Sequence, residues 1–294
     1  MAINSVKLTL NGQDYLLTYD SVSGKYKATV TAPAVSSWNV ESDHKYHGVV
    51  TAEDAAGNEA VATVSDFSAL GLRVLEKVAP LIGVTYPSDG AFIINPAPTI
   101  QWTVTDAGSG IDASTIGIKI DNGSVITAGI TKTAITGGYS CEYTSAALSD
   151  GQHTLAFYAD DNDGNSAAAT SSVFTVDTVP PTLNITSPAD GFITNDDECV
   201  VAGSTNDTTS GSVVVTVNGS PVTVENGEFS TTIRLAEGAN TITVIATDAA
   251  GQTTTIVRSV TLDTVAPIIT GVTLTPNPVD AGATYVIEVT VTDQ

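Results

Sequence analysis

Carboxylates are the abundant reactive group in this sequence. Against 10 lysines and arginines stand 32 aspartates and glutamates, for a net charge of −22. That balance repels nucleic acid and anionic membrane surfaces and favours a bound cation. The acids also recur in set places. Asp54, Asp161 with Asp163, and Asp248 fall in three similar phrases, "AEDAAGNEA", "ADDNDGNSA" and "ATDAAGQTT". Glu76, Asp177 and Asp263 each open a Pro-bearing phrase, "EKVAPLIGVTYP", "DTVPPTLNITSP" and "DTVAPIITGVTLTP". Oxygen donors gathered from several such segments suit calcium, which takes six to eight oxygen ligands. "DDNDGN" is the densest single stretch, although it lacks the spaced acids and closing Glu of an EF-hand loop. Aspartates next to hairpin glycines also cap turns by accepting backbone N–H groups, and both readings stand at this level.

Other chemistry is thinly represented. There are three histidines, and His44 and His47 in "DHKYH" read as an exposed polar turn. No nucleophile elbow, phosphate-binding loop or paired metal motif occurs, so the expectation is a protein that is not an enzyme. Trp38 and Tyr46 in "SSWNVESDHKYHG" have the rings to stack on a host surface glycan, but a core position is the reading taken for Trp38. Cys141 and Cys199 fall in different repeats and are expected to be unpaired.

The elements that must position these acids are strands. Charged residues are sparse at 14%, while Thr, Val, Ala, Ser and Gly crowd the chain, as in proteins built from short strands and turns. The valines of the linker phrase, Val78, Val179 and Val265, are spaced by about 100 and then about 90 residues, the size of one immunoglobulin-like (Ig-like) sandwich. Period-two alternation places Ile100, Trp102 and Val104 on one strand face, Ile116, Ile118 and Ile120 on another, and Leu155 with Phe157 on a third. The next repeat follows suit with Val213, Val215 and Val217, then Ile242, Val244 and Ala246. The expected fold is all-β: tandem Ig-like antiparallel sandwiches in an elongated rod. Expected domains are 1–77 (incomplete), 78–178, 179–264, and 265–294 as the first two strands of a further sandwich. Neither a leader at "MAINSVKLTL" nor a bilayer-length apolar run is read, so membrane insertion is not expected.

The "ATDAAGQ" hairpins followed by "DTVAP" linkers resemble the bacterial Ig-like repeats of large surface adhesins and of bacteriophage tail proteins. That resemblance implies that the loops after the second and sixth strands share a pole with the preceding linker. The acids would then meet in sets: Glu76, Asp106 and Asp112 with Asp161 and Asp163; Asp177, Asp207 and Asp248; and Asp263 with Asp293, completed by Asp54 of an incoming subunit. Adhesin repeats of this type bind calcium at their linkers, which makes Ca2+ the cofactor the resemblance implies.

The two end segments complement each other. "IITGVTLTP" and "TYVIEVTVTD" supply the first two strands of a sandwich, and "INSVKLTLNG" onward supplies the rest. Ile287, Val289 and Val291 match Ile100, Trp102 and Val104, and would cover Val6, Leu8 and Leu10 of another copy by strand addition. Two other readings stand beside it: a segment of a longer repeat array, or completion by a neighbouring gene product. The function expected is a structural protein of a phage or phage-tail-like particle, a fibre, decoration or tail-associated component located in the virion and contacting itself or neighbouring virion proteins. The alternative is a fragment of an extracellular bacterial adhesin acting as a calcium-stiffened spacer.

Overall fold

The computed structural model describes residues 2–293. They divide into two compact units on either side of the step from Val176 to Asp177. Strands dominate both, joined by turns at glycines and asparagines. Among the described residues no helix is long and apolar enough to cross a membrane.

The first unit contains a complete sandwich. One sheet orders Thr131–Ile135, Gly138–Thr144, Thr99–Thr105 and Leu81–Tyr86. The facing sheet orders Ala91–Ile93, Thr170–Val176, Gly151–Tyr158 and Gly117–Ile120. The alternation in "TIQWTVT" drives this arrangement: Ile100, Trp102 and Val104 are fully buried, and the residues between them are half-buried. They pack with Ile116, Ile118, Cys141, Leu155, Phe157, Phe174 and Val176 into one core, and Ile120 lies at its margin. Burial of Cys141 pushes its thiol up to about 11.

The second unit repeats the plan. Thr182–Ser187, Glu198–Asn206, Glu228–Arg234 and Val224–Glu225 form one sheet. Phe192–Thr194, Thr253–Leu262, Gly238–Thr247, Val214–Val217 and Ser220–Val222 form the other. Val215, Val217, Ile242, Val244 and Ala246 lie in the core between them, while Val213 precedes its strand and packs at the edge. In both sandwiches the first strand breaks at a proline, which has no N–H for the ladder. The chain then crosses to the other sheet, where Ala91–Ile93 and Phe192–Thr194 pair parallel with the last strand. Alternation did not suggest that crossing.

Two partial assemblies remain. In the first unit Gln13–Leu16, Ile3–Leu10, Val49–Asp54 and Glu59–Ala62 form one sheet, with Thr18–Asp20 and Lys25–Lys27 as a separate hairpin. Val6 and Leu10 are buried and Leu8 half-buried on that sheet. In the second unit Ile268–Thr275 pairs with Val286–Thr292 alone. Ile287, Val289 and Val291 there are each at least 50% exposed.

One buried polar pair ties the first sandwich to pH. His153, 7% exposed, places Nδ1 2.9 Å from Asp121 Oδ2 and Nε2 2.9 Å from the Ser149 carbonyl. Both ring nitrogens face acceptors, so the imidazolium fits better than the neutral ring. Burial alone would depress its pKa, but these two acceptors and the Asp121 charge raise it above the ordinary histidine value. A raised folded-state pKa gives stability that is fully present below the unfolded pKa near 6.5 and is lost as pH climbs through the folded value. The melting temperature of this sandwich should therefore fall on going from about pH 6 to about pH 8. Differential scanning calorimetry of His153→Gln should show that dependence gone.

Candidate functional site: two carboxylate clusters

Each sandwich gathers three acids from three separate loops. Glu76, Asp106 and Asp161 each offer an oxygen, and the three oxygens lie within 4.8 Å of one another. Asp177, Asp207 and Asp248 do the same in the second unit, all three buried. The positions correspond: a linker acid, the acid that ends the second strand, and the acid that opens the "DNDGN" or "DAAGQ" hairpin.

The backbone orients each carboxylate. The turn after Thr99–Thr105 folds back so that the Gly108 and Gly110 N–H groups donate to Asp106 Oδ2 at 2.9 and 2.7 Å. The Asp163 and Asn165 N–H groups hold Asp161 Oδ1 at 2.9 and 2.8 Å. In the second unit Thr209 and Ser210 N–H groups hold Asp207 Oδ1, and Gln252 N–H holds Asp248 Oδ1. The linker acids are tied by a shared device. Asn165 Nδ2 donates to the Glu76 carbonyl at 3.3 Å, and Gln252 Nε2 donates to the Asp177 carbonyl at 2.9 Å. The Ser109 N–H also donates to Glu76 Oε1, and the Ser210 hydroxyl to Asp177 Oδ2. These amides were not singled out in the sequence, although each lies four residues after its hairpin aspartate.

After these bonds are made, one fully buried carboxylate oxygen in each cluster is left without a hydrogen-bond partner. Asp106, 8% exposed, leaves Oδ1 unbonded, and Asp248, 6% exposed, leaves Oδ2 unbonded. A buried acceptor without a donor is costly, and turn capping does not account for it because the caps use other oxygens. Repulsion adds to the cost: at an effective dielectric of ~20, two charges this close repel by about 3–4 kcal/mol. A divalent cation would relieve both. The donors are all oxygen, with no histidine or cysteine in either cluster, which suits calcium over zinc. Three carboxylates from dedicated loops are also more than magnesium usually takes from protein.

The other sequence candidates lie elsewhere. Asp163 turns out of the cluster: its buried carboxylate accepts from Ser36 Oγ at 2.6 Å, from Arg73 at 3.1 Å and from the Glu76 N–H at 3.1 Å. Burial works to raise its pKa, yet those donors hold it below the ordinary carboxylate value. Asp112 caps its own turn through Ser114. Asp54 is held by Asn58 and by the N–H of Ala56. Asp263 accepts from the Val265 N–H at 3.1 Å. Among the described residues, neither Asp263, Asp293 nor Asp54 joins a cluster of three. Trp38 is half-buried rather than central to a core. Its indole stacks on His44 of its own loop at 3.9 Å, with the guanidinium of Arg73, from the segment after Gly71–Leu72, 5.2 Å from the ring.

Gly108 tests the first cluster. A Cβ built there would fall 1.8 Å from Glu76 Oε2, the mobile end of a side chain that can swing away. Gly108→Ala should cost about 1 kcal/mol in chelator, where the Ser109 N–H loses Glu76, and should abolish most of any calcium-induced rise of the first sandwich. Calorimetry with and without calcium reads both.

Comparison with known proteins follows the repeat. Residues 89–178 match the family of the bacterial Ig-like domain, and residues 181–264 match domain B of glucodextranase. Bacillopeptidase F of Bacillus subtilis (strain 168) is 32% identical over 188 residues, which is 64% of this chain and 12% of that protein. The chain thus spans about an eighth of the relative's length. Among solved structures, the fibronectin(III)-like modules of Clostridium thermocellum CbhA align over 62% of this chain and 94% of theirs, at 18% identity and a TM-score of 0.42. Three Ig domains of titin align over 88% of this chain and 87% of theirs, at 13% identity and a TM-score of 0.39.

Proposed function

We propose that this chain, a tandem Ig-like repeat protein, is a non-enzymatic spacer whose linkers are pinned to the sandwich loops by bound calcium. The observation that carries this reading is the repetition of one arrangement in two sandwiches: three convergent acids, with an unpartnered buried oxygen on Asp106 and on Asp248. Glu76 and Asp177 are linker residues, so a cation held by them and by two loops ties the incoming chain to the sandwich it enters. The spacer belongs to a phage or phage-tail-like particle as a fibre, decoration or tail-associated component. In the second reading it is part of an extracellular bacterial adhesin, whose repeats the linker and hairpin phrases equally resemble.

A ligand that binds only the folded state stabilises it by about 2.7 kcal/mol at 100 times its dissociation constant. For a sandwich of this size that is a rise of roughly 10–20 °C in melting temperature. Millimolar calcium should raise both transitions, chelator should reverse the rise, and Asp106→Asn and Asp207→Asn should each remove it from one sandwich. No calcium effect on either transition would refute the cation. Proteomics of purified particles against cell-surface fractions decides between the two settings.

A further inference from the structure

We propose that Asp163 is a positioning residue that couples the cation of the first cluster to the loop around Trp38. It fastens that loop and the segment 73–76 to the first sandwich, and so holds Glu76 where the cation needs it. This deepens the calcium reading and rests on it.

One hairpin serves the cluster three times. In "DNDGN", Asp161 offers a ligand oxygen, Asn165 Nδ2 donates to the Glu76 carbonyl, and Asp163 Oδ2 accepts the Glu76 N–H at 3.1 Å. The backbone of Glu76 is thus gripped on both sides by the hairpin that carries Asp161. The Ser109 N–H holds the Glu76 side chain through Oε1, and the Ser109 hydroxyl accepts the Asp163 N–H at 3.2 Å.

The other bonds of Asp163 reach outward. Ser36 Oγ donates to Oδ2 at 2.6 Å, and Arg73 donates to Oδ1 at 3.1 Å. These two donors come from segments that are tied to each other. The Ser37 N–H donates to the Val74 carbonyl at 2.9 Å, the Val74 N–H donates to Ser37 Oγ at 3.0 Å, and the Arg73 guanidinium lies over the Trp38 ring. From the same loop Asn39 Nδ2 donates at 3.1 Å to the carbonyl of Gly108, whose N–H orients Asp106. The Asp163 side chain is 0% exposed, and a charge so placed is kept only where donors and a counter-charge meet it. Displacing the loop therefore strips Asp163 of donors, and displacing Asp163 frees Glu76.

The second sandwich isolates this role. Its hairpin reads "DAAGQ", with Ala250 at the place of Asp163, and its three acids still converge. A carboxylate at that place is therefore not what builds the turn or the cluster. What it adds in the first sandwich is the bond to the Glu76 N–H and the tie to the loop. By linkage, a cation that is held better with the loop in place also holds the loop better, by the same factor.

The test uses the full chain in an Asp207→Asn background, where the first cluster is the site measured. Titration calorimetry should show Asp163→Asn weakening calcium binding by roughly tenfold or more, and Ser36→Ala and Arg73→Gln weakening it by roughly fivefold. The sign for Arg73→Gln separates positioning from charge: removing a positive charge near the site would tighten binding if charge alone acted, whereas loss of the clamp loosens it. Ser36→Ala changes no charge and keeps the test alive if Asp163→Asn fails to fold. Hydrogen exchange reads the coupling from the other side. Calcium should slow exchange at the Ser37, Trp38 and Val74 amides, and should no longer do so in Asp163→Asn; a merely structural Asp163 would alter exchange equally with and without calcium. Unchanged affinity in Asp163→Asn or Ser36→Ala, tighter binding in Arg73→Gln, or calcium protection of those amides in Asp163→Asn would each overturn the coupling and leave the calcium reading standing. No calcium binding by the unsubstituted chain would overturn both.

Discussion

Trp102→Ala is expected to lower the melting transition of the first sandwich by at least about 12 °C and to leave the second where it is. Trp102 is 1% exposed, lies opposite Cys141 and packs its ring 5.3 Å from that of Phe157. No larger neighbour on the facing strand can fill the space, because Cys141 is small. Truncating a buried tryptophan costs about 3–5 kcal/mol, and each kcal/mol shifts a domain of this size by about 4–8 °C. The second sandwich has its own core and shares no side chain with this one, so the two effects should not couple. Trp102→Phe is the informative control. The indole Nε1 is buried without a hydrogen-bond partner, so phenylalanine keeps most of the ring and removes an unsatisfied donor. It should cost about 1 kcal/mol or less. Calorimetry resolving both transitions checks each variant; a second transition that falls with the first would show the two cores to be coupled.

Gly203→Ala should destabilise the second sandwich, reversing the usual sign of such a change. In an ordinary strand interior, alanine is favoured over glycine by roughly 0.5–1 kcal/mol. Here a Cβ would lie 2.1 Å from the Asn184 carbonyl oxygen and 2.7 Å from the Phe229 ring. The carbonyl belongs to the neighbouring strand, which pairs Ile185 with Gly203, and it cannot retreat without opening that ladder. Overpacking of this kind costs about 1–3 kcal/mol, a drop of roughly 4–20 °C in the second transition. Adding Phe229→Leu should recover part of it by withdrawing the ring. A second transition that rises in Gly203→Ala would mean the strands do not approach this closely.

Much of this architecture was legible because its signals are local. A strand's two faces alternate with period two, so "TIQWTVT" marks Ile100, Trp102 and Val104 as inward without knowledge of any partner. The repeated linker and hairpin phrases marked the acids for the same reason. Ala91–Ile93 and Phe192–Thr194 were not legible. Each is three residues long, and each exists as a strand only because a parallel partner about 80 or about 70 residues later accepts it.

Within the site the division is finer. The sequence by itself determined that acids from three segments recur with each repeat, since a strand end, a hairpin and a linker each leave a mark in composition. It also carried the amides Asn165 and Gln252, four residues after their aspartates, though only the fold gives them a task. Tertiary structure decided which acids converge. Asp161 and Asp163 are two residues apart in one hairpin and equal in chemistry. Asp161 joins Glu76 and Asp106, whereas Asp163 is claimed by Ser36 and Arg73, 127 and 90 residues away. Tertiary structure also chose between Trp102 with Cys141 and Gly203 with Phe229, two ways of filling one core layer. Volume is conserved across a pair of facing strands, and no single strand records what lies opposite it.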